Sequence, residues 1–234
     1  MSFSRRSLVL SIALAATPLS AEDKGKAEET KSPAPVKIDF EEYEAGSGAD
    51  DLFIIEGSFK FAEEEGGNKI LELEPRPLAE SGIIFGKSLK GAATVTAKIK
   101  AQKKRRSAPR FGIGLHGISG YRFRVVPARN IVELVKSEEP VKSAEFKWTS
   151  GDWAHVKLSI EPAMAEGKWV INGWVWKDGD KPTPGPVISL TAEGKPGQGK
   201  ASIWGTPYSG TPILYDDIVI TDQQAAKPAE VDAR

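Results

Sequence analysis

Apolar residues in this chain recur at every second position over short runs, and Gly, Pro, Asn or Asp cuts each run before it grows long. Val95, Ala97, Ile99 and Ala101 alternate with Thr94, Thr96, Lys98 and Lys100. Tyr121, Phe123 and Val125 alternate with Arg122 and Arg124, and Val156, Leu158 and Ile160 alternate with His155, Lys157, Ser159 and Glu161. A period of two gives a strand one apolar and one wet face, the pattern of an antiparallel sheet buried on one side. Further runs of strand chemistry lie at 37–43, 52–55, 58–62, 69–74, 82–85, 110–116, 131–136, 168–177, 187–191, 201–204 and 213–221. No window combines a sustained helical period with caps. Many short strands, each with one wet face, predict an all-β chain: a two-sheet antiparallel β-sandwich of jelly-roll type.

The ends have a different composition. Arg5 and Arg6 precede an apolar run from Leu8 to Leu14, and small residues lead to Ala21 ahead of Glu22, the order of a secretory signal over residues 1–21. The apolar run falls short of the ~20 residues a membrane span needs, so no stable membrane span is expected after cleavage. Ser4-Arg5-Arg6-Ser7-Leu8 also resembles a twin-arginine signal, and the export route stays open. Residues 22–35 are charged and nearly free of large apolar side chains, as a disordered linker is, and 223–234 read as a similar tail. The sandwich domain is therefore expected over 36–222, and the protein in the periplasm or outside the cell.

Export permits disulfides, yet the chain contains no cysteine, so the domain relies on its packed core. Lys and Arg total 32 against 32 Asp and Glu, which argues against a generally basic nucleic-acid binder. The run from Lys98 to Arg106 (KIKAQKKRR) is locally basic but lacks interleaved aromatics, and reads as a solvated loop or a contact to anionic envelope polymer.

The last third carries a recognisable order: Trp153 to Ile160 in one strand, then Gly173-Trp174-Val175-Trp176-Lys177-Asp178-Gly179, then Ile203-Trp204-Gly205, then a closing Tyr215-Asp216-Asp217-Ile218-Val219-Ile220. Over residues 149–221 this order resembles the concanavalin A-like lectin/glucanase sandwiches of secreted bacterial proteins. The resemblance implies the fold. For activity it leaves open a lectin, a hydrolase or a spacer, because one fold hosts many functions.

Glucanases of that type carry carboxylic acids at alternate positions of one strand, since retaining chemistry needs two carboxyl groups about 5–5.5 Å apart. The nearest pattern here is Glu72 and Glu74, without the family's intervening third acid and without aromatic surroundings to desolvate a general acid. A solvated outer strand face accounts for them, and the expectation leans away from catalysis.

The segment 110–125 is the most suggestive. If Leu115 pairs with Tyr121 in a hairpin, then Phe111, Ile113, Leu115, Tyr121, Phe123 and Val125 enter the core. Arg110, His116, Arg122 and Arg124 then share the other face, over a floor made by Gly112 and Gly114. Guanidinium groups offer planar, multiple donors to carboxylates, sulfates or sugar hydroxyls. The same arginines would equally serve to cover the sheet and pair with nearby acids.

Trp174 and Trp176, on one side of their strand, are candidate sugar-stacking surfaces, with core packing as the alternative; Trp204 and Tyr208 flank another Gly/Pro-rich loop. The resemblance also implies a possible structural calcium between an acid of the first strand and one of the last. Glu41 and Asp216 stand in those places, with strand-end acids free of metal as the alternative. The sequence thus predicts an exported, non-catalytic, monomeric sandwich that binds polysaccharide or a cell-envelope glycan, with glycoside hydrolysis and a ligand-free spacer as the other readings.

Overall fold

The computed structural model of the chain describes residues 33–49 and 52–223. The expected signal segment, most of the linker and the tail from residue 224 lie outside the described residues. Among the described residues fifteen strands follow one another: β1 (Val36–Ile38), β2 (Phe53–Glu56), β3 (Phe59–Glu63), β4 (Lys69–Leu73), β5 (Ser81–Lys90), β6 (Ala93–Ala101), β7 (Arg110–Leu115), β8 (Tyr121–Val126), β9 (Ile131–Lys136), β10 (Glu139–Glu145), β11 (Trp153–Pro162), β12 (Lys168–Lys177), β13 (Ile188–Glu193), β14 (Gln198–Thr206) and β15 (Ile213–Asp222). A 3-10 turn, Pro127–Arg129, joins β8 to β9.

These strands form two sheets. One has eight strands in the order β13-β12-β11-β6-β15-β4-β3, with β1 also on β15; the other has seven, in the order β10-β9-β8-β7-β14-β5-β2. Every described pairing is antiparallel. The alternation of the sequence becomes the inner faces: Val95, Ala97 and Ile99 of β6 and Val156, Leu158 and Ile160 of β11 face Phe111, Ile113, Phe123 and Val125 of the opposite sheet in one buried cluster. Between the sheets, the Phe123 ring of β8 rests on the bare backbone of Gly173 in β12, where a Cβ would stand 2.5 Å from ring carbon Cδ2. A large side chain on one sheet thus uses a missing one on the other, as close packing requires.

Two expectations for strands change. The expected strand at 37–43 stops at Ile38, because Phe40 takes a positive φ of 62° and turns the chain inward, where its ring is buried. Strand β10, unpredicted, is almost wholly exposed, contains Pro140 and has a register shift between Pro140 and Lys142. It is a sheet edge, where charge, proline and irregular register discourage pairing with another chain and erase the hydrophobic alternation.

Candidate functional site

The β7–β8 hairpin pairs Leu115 with Tyr121, Gly114 with Arg122 and Gly112 with Arg124, the register its alternation predicts. Following that register across the sheet gives one outward-facing row: Gly82 of β5, Trp204 of β14, Gly112 of β7, Arg124 of β8 and Glu133 of β9. Trp204 therefore stands between two glycines. A Cβ on Gly82 would come within 2.7 Å of its ring, and one on Gly114 within 3.3 Å of its Nε1, so the missing side chains let the indole lie on the sheet. Its Nε1–H donates to Ser202 Oγ at 2.8 Å.

Arg122 lies over that indole, with its guanidinium carbon 3.4 Å from the ring centre. Arg122 is only 4% exposed, and the cation–π contact offsets part of the cost of burying its charge. Its Nη1 donates to Glu80 Oε2 at 3.1 Å and its Nη2 to the carbonyl of Ile118 at 3.1 Å, while its buried Nε–H has no hydrogen-bond partner. Burial lowers its pKa and Glu80 opposes that shift, as expected for a desolvated cation with one carboxylate beside it.

The network extends along β8 and β9. Arg124 Nη1 lies 3.5 Å from Glu80 Oε1, while its Nε and Nη2 donate to Glu133 Oε2 at 3.2 and 2.8 Å. Glu133, 2% exposed, also accepts from Arg129 Nη1 at 2.9 Å. One carboxylate thus joins Arg122 to Arg124, and another joins Arg124 to Arg129. Arg110 has no carboxylate partner among the described residues; its guanidinium lies 5.0 Å from the ring centre of Tyr208, which is 40% exposed. Arg110, Arg122, Arg124, Glu80, Trp204 and Thr206 border a cleft of ≈ 10 Å³, room for about one water.

His116 is not presented beside these arginines. It takes a φ of 64° at the hairpin turn, which ends the strand alternation, and it is 2% exposed, packed near Gly91 and Gly197. Burial lowers its pKa, with the backbone of Gly91 pulling the other way.

Trp174 and Trp176 lie on the other outer face of the sandwich. On the eight-stranded sheet, Trp176, His155, Lys98 and Asp216 form one row across β12, β11, β6 and β15. Both indoles are half-buried. The His155 ring stacks on Trp176 at 4.9 Å and Lys157 Nζ lies 4.6 Å from the Trp174 ring centre. His155 Nε2 lies 2.7 Å from Asp178 Oδ1, and that hydrogen bond is the main reason the Asp178 pKa falls. The arginine and tryptophan candidates are thus separate sites on opposite sheets.

The acids considered for catalysis and for calcium have local partners. Glu72 pairs with Lys60 at 3.3 Å on the outer face of the eight-stranded sheet, and Glu74 follows the end of β4. Glu41 Oε1 accepts the Lys69 N–H at 3.1 Å. Asp216 Oδ2 accepts from Asn68 Nδ2 at 3.0 Å, and Oδ1 from the Asp217 N–H at 2.7 Å. Calcium takes six to eight oxygens, whereas these carboxylates face N–H donors, and among the described residues no group of three or more acids and histidines is placed to hold a metal ion. The pair does not fit a calcium site.

No protein-family model matches the chain, and no curated protein matches its sequence. Among solved structures, the chain is similar to the lectin UEA-II complexed with galactose, at 10% identity, covering 82% of this chain and 99% of that one with a TM-score of 0.50. It is also similar to the cellulose induced protein Cip1, at 15% identity, covering 79% and 96% respectively with a TM-score of 0.51. The fold is a concanavalin A-like, lectin-type jelly roll. Among the described residues, no helix is long and apolar enough to cross a membrane.

Proposed function

We propose that this domain binds carbohydrate, without catalysing its hydrolysis, on the outer face of the seven-stranded sheet, with Arg110, Arg122 and Arg124 as the principal donors. The observation that carries the reading is the cross-linked guanidinium set around Trp204. A network with the charges of Arg122 and Glu133 buried at its centre is a poor device for stability, since apolar residues of similar volume serve as well or better. It is a good device for holding several donors at fixed angles, which hydroxyl recognition requires. Tyr208 adds an exposed ring at the Arg110 end, suited to the apolar face of a sugar. The likeness to a lectin holding galactose favours a sugar among ligands rich in hydroxyls. A non-catalytic role is favoured because Glu80 and Glu133, the acids bound into the arginine network, are acceptors for guanidinium donors, and Glu72 is tied to Lys60. With the signal-like first residues, the reading is of an exported monomer that meets polysaccharide or envelope glycan in the periplasm or outside the cell.

A glycan array followed by calorimetric titration tests this. Binding that is lost in Arg110→Ala plus Arg124→Ala, with the thermal transition retained, is the expected result. Absence of binding across neutral and acidic glycans would overturn it.

A further inference from the structure

Glu80 holds a position that an incoming carboxylate would hold. Its two oxygens bridge two guanidiniums, Oε2 to Arg122 Nη1 at 3.1 Å and Oε1 to Arg124 Nη1 at 3.5 Å. Yet it belongs to the connection between β4 and β5, not to the sheet itself, and its side chain is 36% exposed. The arginines are the reverse: both rise from β8, and Arg122 is fixed by the Trp204 ring and the Ile118 carbonyl. The donors are therefore rigid and the acceptor stands on a loop. Within the network, guanidiniums outnumber the carboxylates that hold them. Arg122, Arg124 and Arg129 share Glu80 and Glu133, with Glu138 acting on Arg122 from farther away. Arg110, without an acid, borders the same cleft as Glu80. The Nε–H of Arg122, buried and without a partner, is a further donor a better-placed acceptor would satisfy.

We propose that Glu80 is a resident stand-in for the carboxylate of an acidic sugar, and that a uronate displaces it to pair with Arg122 and Arg124 while Arg110 supplies the charge balance. This deepens the carbohydrate reading and rests on it. The cleft, ≈ 10 Å³, has room for about one water while Glu80 is in place. Withdrawal of Glu80 adds the volume of its own carboxylate, which is the volume the ligand's carboxylate needs. Exchange of one bridging carboxylate for another keeps a charged contact to each arginine. Glu80 then sets a threshold: a ligand binds only by outcompeting an internal acid, so the apparent affinity is reduced by the fraction of molecules with the site open.

The experiment titrates the full chain and its Glu80→Gln and Glu80→Asp variants with trigalacturonate, with the same oligomer methyl-esterified, and with polyglutamate. Glu80→Gln is expected to bind trigalacturonate about tenfold or more tighter than the parent, and to bind the methyl ester with little change. Glu80→Asp keeps the charge but shortens the reach, so it is expected to show a smaller gain; general electrostatics would leave it at the parent value. Arg124→Ala added to Glu80→Gln is expected to abolish the gain. Equal affinity of Glu80→Gln for acid and ester would overturn the proposal, and so would equal binding of polyglutamate, which carries carboxylates without sugar. If neutral glycans bind at the arginine face but neither Glu80 variant shifts preference towards the acid, the stand-in role fails and the carbohydrate reading survives. If nothing binds in any variant, the carbohydrate reading itself fails.

Discussion

The guanidinium of Arg122 lies 3.4 Å from the centre of the Trp204 ring, on an outer sheet face where two glycines flank the indole. This contact links packing to binding, because the ring that supports the cation also fixes its angle. Arg122→Ala removes the cation, uncovers the indole and leaves Glu80 with Arg124 alone. A loss of about 2–3 kcal/mol in urea unfolding is expected, at the low end for a broken buried pair because Glu80 is part-exposed and can reach water. Arg122→Met keeps a stem over the ring and should lose less than half as much. Equal losses in the two variants would mean that the charge, not the coverage of Trp204, is what matters.

His116 makes stability depend on pH. Burial lowers its folded-state pKa from the ordinary 6.5, so between that value and the folded pKa the unfolded chain binds more protons than the folded one. Its contribution is therefore complete above about 6.5 and is lost as pH falls below it. His116→Asn, which tolerates the positive φ of this position, should remove that part of the acid sensitivity. Urea midpoints of both proteins between pH 7.5 and 5 measure it; parallel curves would show that the imidazole does not titrate on unfolding.

Between the sheets, Gly173 accommodates Phe123, and its φ is not in the left-handed region, so the constraint is one of space. A methyl group there would overlap the ring and lie 2.9 Å from Ile188 Cγ2. Gly173→Ala is expected to destabilise by about 1–3 kcal/mol, the usual cost of overpacking. Phe123→Leu in the same chain should recover part of that loss by withdrawing the ring, and a double variant no better than the single one would contradict the steric account.

The hairpin was legible because Leu115 and Tyr121 lie six residues apart and alternate cleanly outward from the turn, so local pattern alone sets their register. His116 was not, because a left-handed residue reverses the direction an alternation rule assigns. The glycines at 112 and 114 were visible as a floor, but the occupants of that floor were not. Trp204 arrives from β14 and Glu80 from the connection after β4, and both are brought there by sheet order, which no local pattern contains. Glu133 and Arg129 were hidden for the same reason. Their one sequence signal is the spacing of four between them, which on a turn followed by a strand still brings Arg129 Nη1 to 2.9 Å from Glu133. Strand β10 carries no alternating signal because an edge strand is selected for charge rather than for alternation.

Trp174 and Trp176 provide the sharpest test of which face binds. Both stand on the eight-stranded sheet, with His155 against one and Lys157 against the other, while Arg110, Arg122 and Arg124 stand on the seven-stranded sheet across the core. Sites this far apart with no shared partners act additively, so replacing both tryptophans by Ala should leave affinity for any glycan bound at the arginine face within about twofold. Stability should fall modestly, since the indoles are half-buried and each loses one stacking or cation–π partner. Calorimetric titration of the double variant beside Arg110→Ala plus Arg124→Ala reads the difference directly. Loss of binding in the tryptophan variant, with the arginine variant unaffected, would transfer the site to the opposite sheet. There Asp178 and His155, 2.7 Å apart beside Trp176, would become the polar groups that read the sugar hydroxyls.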